Sequence, residues 1–222
     1  MQPQPMTPVR IWDLPTRLFH WSLVLLVVFS VATAKVGGNW MDWHMRSGYA
    51  VLALLVFRLL WGFAGSRYAL FAQFIRAPRA VLAYLRAPRG AGERHAGHNP
   101  LGGWSVLALL AALLVQAATG LFANDEIATE GPLSKLVSGA TASLMTKIHL
   151  LNQNAIYALV ALHLAAIAYY FFAKRENLVV PMVTGDKRGI AAEPAQDDAL
   201  VRARAALLAA LAAGLVGYVV SL

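Results

Sequence analysis

The stretch IHLLNQNAIYALVALHLAAIAYYFF, Ile148 to Phe172, decides how the rest of the chain is read. It is long and apolar enough to cross a bilayer, which takes roughly 20 residues. It nevertheless carries two histidines, His149 and His163, fourteen residues apart. Fourteen steps of about 100° leave the two side chains within about 40° of one another, on one helix face. At about 1.5 Å per residue they stand about 21 Å apart along the axis, near opposite sides of the hydrocarbon. Ionisable side chains in a spanning helix are costly and face a bundle interior, a water cavity or a cofactor. A two-level histidine ladder therefore asks for partners at the same two depths elsewhere in the chain.

The composition makes such partners a matter of other spans. Of 222 residues 59% are hydrophobic and only 14% charged, with a mean hydropathy of +0.56, whereas soluble domains carry about 25% charge. Five apolar runs stand out: Leu18–Ala34, Tyr49–Ala64, Trp104–Phe122, Leu150–Phe172 and Ala205–Leu222. The expectation is an all-α integral membrane bundle. The first run is read as a retained helix, since no small-residue site closes it as in a cleavable signal. With no cysteine in the chain, disulfides, thiolate metal sites, iron–sulfur clusters and cysteine-linked haem are excluded. The net charge of +8 is confined to particular loops, which argues against nucleic acid as a partner.

Those loops set the orientation. Arg10 and Arg17 precede the first span, and the turn to the second holds only Lys35, Asp42 and Arg46. Arg67, Arg76, Arg79, Arg86, Arg89 and Arg94 then face a single acid, Glu93. The next loop opens with Asp125, Glu126 and Glu130 before Lys135 and Lys147, and Lys174 and Arg175 follow the fourth span. The basic bias alternates with each crossing, as the positive-inside rule requires. The expected placement is a multi-pass protein of the bacterial inner membrane with its N-terminus in the cytoplasm.

Taken in order, residues 1–9 read as a disordered or interfacial tail. Pro15 suits the first turn of a helix, with His20 just inside it in RLFHW. Trp40 and Trp43 mark the outer interface, where amphipathic aromatics collect. His44 opens the second span on that side, and Arg58 lies fourteen residues deeper on nearly the same face. Segment 66–99 is too polar to span. Its repeated Ala-Pro-Arg suggests amphipathic helices on the inner leaflet with Phe74, Val81 and Tyr84 toward lipid. Asn99 and Pro100 start the third span, which offers Gln116, Thr119 and Gly120 but no histidine. Segment 123–145 is expected as an exposed outer loop, and 186–199 as a short polar linker.

Four of the six histidines thus fall at membrane levels. Depth alone pairs His44 with His149 at the outer level and His20 with His163 at the inner one. Two bis-histidine b-type haems stacked along the membrane normal satisfy every partner, six-coordinate and hence suited to electron transfer. Arg46 and Lys147 at the outer level, and Arg17 and Arg58 at the inner, are placed to neutralise propionates. For Arg58, snorkelling to the interface remains open.

RLFHW, WHMRSGYAVLALLVFRLLWG, GHNPLGGW and the His149…His163 pair resemble, as a set, the bacterial cytochrome b561 and nickel-hydrogenase b-type cytochrome family over residues 10–185. The resemblance implies a four-helix di-haem bundle moving electrons between the membrane quinone pool, such as ubiquinone, and an outer redox partner. That partner would be a soluble c-type cytochrome or a periplasmic redox enzyme. Residues 1–185 would form the di-haem domain, and 186–222 a linker with a fifth spanning helix.

Other readings stand beside this one. A single such histidine would serve a proton relay or helix packing equally well. His95 and His98, among Gly, Asn and Pro, read as solvated or quinone-edge groups rather than ligands. No catalytic acid, base or nucleophile constellation is visible, so any oxidoreductase activity would reside in the haems. The alternatives are a membrane anchor for a hydrogenase or other dehydrogenase, a superoxide:quinone oxidoreductase, or a haem-free transporter. Association into a homo-oligomer is left open.

Overall fold

A computed structural model describes residues 7–86, 95–124 and 129–222. In chain order it holds β1 (Val9–Arg10), α1 (Leu14–Val36), α2 (Met41–Ala64), α3 (Phe71–Phe74), α4 (Pro78–Arg86), α5 (Pro100–Gly120), α6 (Gly139–Phe172), α7 (Val179–Thr184), β2 (Asp186–Lys187) and α8 (Ala199–Ser221). Five helices, α1, α2 with its preceding turn, α5, α6 and α8, are long and apolar enough to cross a membrane. The protein is an all-α, multi-pass membrane protein.

Helix starts follow from local chemistry. Asp13 accepts the Thr16 amide at 2.6 Å and Pro15 fills the first turn of α1, satisfying one N–H and removing another that would lack a partner. Asn99 does the same for α5, accepting from the Gly102 amide at 2.7 Å ahead of Pro100. Ser138 caps α6 through the Thr141 amide. Helix α6 therefore begins at Gly139, not near the apolar Ile148. At about 1.5 Å per residue its 34 residues reach about 51 Å, well past the hydrocarbon of about 30 Å. The outer loop is correspondingly shorter than 123–145.

Packing is lopsided. Helix α2 is the hub: α1, α5 and α8 all pack on it, burying Leu55 and Trp61 completely or nearly so. Helix α6 packs along α5 and, among the described residues, makes no comparable contact with α1 or α2. Only Ala142 and Ile156 of α6 are buried. The bundle is thus open between the α1–α2 pair and the face of α6 that carries the histidines.

Two expectations need correction. Phe74 does not face lipid; it is buried beneath Arg58 and against the His98 ring at 4.7 Å. Tyr84 is also turned inward, its hydroxyl bonded to that of Tyr170 at 2.5 Å, and Val81 beside it is half-buried. The apolar side chains that α4 exposes are Leu82 and Leu85, because α4 lies against α5 with its Val81–Tyr84 face. The tail expected over residues 1–9 lies outside the described residues up to position 6; from Val9 it is paired as β1. Arg89, Glu93 and Arg94, with the second Ala-Pro-Arg, and Asp125 and Glu126 also lie outside the described residues.

The polar linker is structured, and it closes one end of the bundle. Strand β1 pairs antiparallel with β2, and the Ile11 and Trp12 amides both donate to Gly185 O. Asp197 ties the pieces together, accepting from Arg10 at 2.6 Å, the Leu14 amide at 3.1 Å and Arg202 at 3.2 Å. Burial opposes its charge, but Arg202, the Leu14 amide and Arg10 outweigh that and hold its carboxyl below the usual range. A depressed carboxyl contributes stability above its unfolded value of about 3.9, lost as pH falls through the folded value. Charge-assisted hydrogen bonds contribute about 1.5–3 kcal/mol each. Amide exchange at Ile11 and Trp12 is therefore expected to rise about tenfold or more in Asp197→Asn at neutral pH. The wild type should lose that protection, taken against the intrinsic exchange rate at each pH, only in acid. Equal exchange in both proteins at neutral pH would show that Asp197 does not hold the closure.

Candidate functional site

At the end of the bundle away from this closure, His44 in the first turn of α2 faces His149 of α6. Their ring centres are 6.1 Å apart and their planes lie at 87°. That separation suits two imidazoles bound axially to one metal, with two metal–nitrogen bonds of about 2 Å plus the ring radius on each side. The Nδ1 of His44 lies 2.9 Å from Ser30 O, and that of His149 2.9 Å from Gln116 O. Such a bond fixes the tautomer with hydrogen on Nδ1 and leaves Nε2 free as a ligand. Among the described residues no cluster of three or more His, Cys, Asp or Glu could hold a bare ion. Two facing imidazoles with open space between them would suit a metal already carried in a macrocycle.

The space for it is present. A cavity of about 370 Å³ is lined by His44, His149, Gly48, Gly120, Gln116 and Lys35, with Tyr157 and Val27 also on its wall. Gly48 follows His44 by one turn, and a Cβ built there would meet nothing within 4 Å. A Cβ at Gly120 would stand 3.0 Å from His149 Cε1, so only glycine lets α5 come this close to the His149 ring without a shift. Below His149 the amide of Asn152 donates to Ala112 O at 2.9 Å and to Gln116 Oε1 at 2.8 Å. These bonds pin α6 to α5 at the level of Gln116, whose carbonyl holds the histidine.

The inner group is built differently. His20 of α1 and His163 of α6 lie within electrostatic reach of each other. His98 is close enough to feel both of them and Arg58. Four nitrogens, Arg17 Nε, His20 Nδ1, Arg58 Nη1 and His98 Nδ1, are sealed from solvent with no hydrogen-bond partner. A buried polar group left unpaired costs about 1–3 kcal/mol, more when charged. His98 lies within electrostatic reach of Arg58, so the unpaired Arg58 Nη1 and His98 Nδ1 together fit a group carrying acceptor oxygens, as haem propionates do. Arg58, 3% exposed, spends Nη2 on Ala69 O at 3.1 Å and lies 4.9 Å from the Phe71 ring centre. It does not snorkel.

His98 is not a solvated loop residue either. Its ring stands 4.9 Å from Trp12 and 4.7 Å from Phe74. Burial first, and then the neighbouring Arg58, push it down to about 3, so it is a neutral imidazole at physiological pH.

One family model, that of prokaryotic cytochrome b561, matches residues 11–185. The chain belongs to the prokaryotic cytochrome b561 family. It is a membrane protein that binds b-type haem and transfers electrons. No curated protein and no solved structure matches it.

In this b561 the match spans α1 to α7 and stops before α8, which packs on α2. All four membrane-level histidines lie on helices inside the match, two on α6 and one each on α1 and α2. The proposed propionate partners are placed unequally. Arg58 is beside the inner group, and Arg17 donates to Val183 O at 2.7 Å while its Nε is buried. Arg46 is exposed over the Trp43 ring at 5.3 Å, and Lys147 is exposed; neither lines the outer cavity, whereas Lys35 does. The sequence alone assigns no site role to Asn152, Lys35 or Gly48. For Asn152 there was a signal, a carboxamide inside an apolar span, which in a membrane asks for a partner.

Proposed function

We propose that this b561 conducts electrons across the bacterial inner membrane between the quinone pool and a redox partner on the periplasmic side. Two b-type haems would carry them, one held by His44 and His149, the other by His20 and His163. A haem held there by two histidines would supply one-electron redox chemistry. The chain's own residues do the rest. Ser30 O and Gln116 O orient the outer imidazoles, Gly48 and Gly120 leave the planar space, and apolar side chains exclude water. Arg17, Arg58 and His98 offer nitrogens to acidic oxygens at the inner level, and Arg46, Lys147 and Lys35 are the outer cations. The closed end, rich in Arg10, Arg17, Arg67 and Arg202, is assigned to the cytoplasm by the positive-inside rule.

The observation that carries this reading is the facing of His44 and His149 across the cavity, with each Nδ1 turned away to a carbonyl. The test is redox exchange with quinone in the haem-loaded protein in lipid vesicles. Ubiquinol added to the oxidised protein, or ubiquinone added to the reduced protein, should change the b-type α-band within seconds. An α-band that follows dithionite and oxygen but neither form of quinone would contradict it.

A further inference from the structure

The end of α6 carries a backbone conformation that no other described side chain shares. Arg175 has φ +55°, and every other positive φ among the described residues belongs to a glycine. Left-handed backbone is strained for an L side chain and easy for glycine, and residues held in it cluster where a side chain has a task. The Glu176 amide donates back to Tyr170 O at 3.0 Å, which fixes the turn and leaves Arg175 at the corner of the helix end. Its side chain lines a cavity of about 450 Å³ between the end of α6, α7 and β2. Small-molecule sites typically enclose about 300–1,000 Å³.

Arg188, just past β2, lines the same cavity. The two carboxylates on its wall are already matched: Glu176 pairs with Lys187 at 2.6 Å and Asp186 with Arg10 at 2.7 Å. Arg175 and Arg188 make no hydrogen bond or ion pair among the described residues. Two arginines without an acid on one cavity wall call for an anion, and the guanidinium fork matches phosphate. The cavity also lies at the membrane surface. Trp21 of α1 donates to Met182 O at 3.1 Å and Arg17 to Val183 O at 2.7 Å, which sets α7 at the depth of an interfacial tryptophan. Val179, Val180 and Val183 are 43, 50 and 54% exposed. At this depth such a patch meets acyl chains, and Val180 joins it to the polar cavity that it also lines.

The geometry points to a binding site for one anionic phospholipid of the leaflet at the closed end. Its phosphodiester lies between Arg175 and Arg188, and its acyl chains run over Val179, Val180 and Val183. Basic pockets beside spanning helices are where anionic head groups bind. A zwitterionic lipid is the poorer occupant, because its ammonium needs a carboxylate and both in the cavity are spent. A free phosphate satisfies the arginines but leaves the valines uncovered. The bound lipid joins the end of α6 to α7 and, through the Arg17 and Trp21 bonds, to α1, across the side on which the bundle is open.

The test is native mass spectrometry of the haem-loaded full chain in mild detergent, titrated with phosphatidylglycerol, phosphatidylethanolamine or glycerol phosphate. One phosphatidylglycerol should bind ahead of all further copies, and the other two probes far more weakly. An arginine near an anionic head group contributes about fivefold in affinity, so Arg188→Gln should weaken that first binding about fivefold and the double variant Arg175→Gln/Arg188→Gln about twenty-fivefold. Arg86→Gln, at an exposed arginine of α4 outside the cavity, should change nothing. Arg175→Gly relieves the left-handed backbone. It should melt no lower than the wild type without lipid, yet lose the rise in melting temperature that phosphatidylglycerol gives the wild type. Equal binding of the two phospholipids, or equal losses in Arg86→Gln and Arg188→Gln, would overturn the site. Glycerol phosphate binding as tightly as the lipid would overturn it too, leaving a small-anion site.

Discussion

Protein carrying His163→Ala is expected to hold one b-type haem per chain, and the wild type two. His163 is the only histidine that α6 presents at the inner level, and the substitution leaves His20 without a partner across the gap. The loss should not spread. His149 stands fourteen residues away on the same helix, about 21 Å by helix rise. Its contacts to Gln116 O and, through the Asn152–Gln116 bonds, to α5 do not involve His163. Folding should survive too, since α6 is held by α5 and His163 makes no hydrogen bond among the described residues. The difference is read from haem-to-protein ratio in folded, monodisperse material. Loss of both haems in such material would show that the pairing by depth is wrong.

Gly48→Leu is expected to remove the other haem without touching a ligand. Gly48 is one helical turn below His44, lines the cavity, and faces open space where a Cβ would stand. A Cβ there meets nothing within 4 Å, and loss of a mid-helix glycine favours the helix by up to about 1 kcal/mol. The apoprotein should therefore melt at the same temperature or higher. The side chain occupies the space a porphyrin needs, so haem content should fall from two to one while His44 and His149 stay in place. Gly48→Ala, smaller by three carbons, should reduce affinity without abolishing binding. A Gly48→Leu protein that retains two haems would mean that the cavity between α2 and α6 is not the haem site.

How far the sequence discloses this arrangement depends on whether each signal is local. The five spans are legible because hydropathy is a property of contiguous residues, and the starts of α1 and α5 because Asp13-x-Pro15 and Asn99-Pro100 are caps readable in place. The start of α6 was not, because GATASLMTK (139–147) is polar enough to resemble a loop although it is helical. His98 read as solvated from its Gly, Asn and Pro neighbours; its enclosure comes from Trp12 and Phe74, brought in by distant segments. The order of the linker was hidden for the same reason. Arg10–Asp186 and Arg10–Asp197 join residues 176 and 187 positions apart. The carbonyl acceptors of His44 and His149 belong to the backbone, which leaves no trace in residue identity.

The most direct test of the whole reading is the number and ligation of haems in the detergent-purified, haem-replete chain. It combines a pyridine haemochrome assay per mole of protein with low-temperature electron paramagnetic resonance. Two b-type haems per chain, both low-spin with two histidines each, are predicted. A ratio of one, or a high-spin signal from a site with a single histidine, would contradict it.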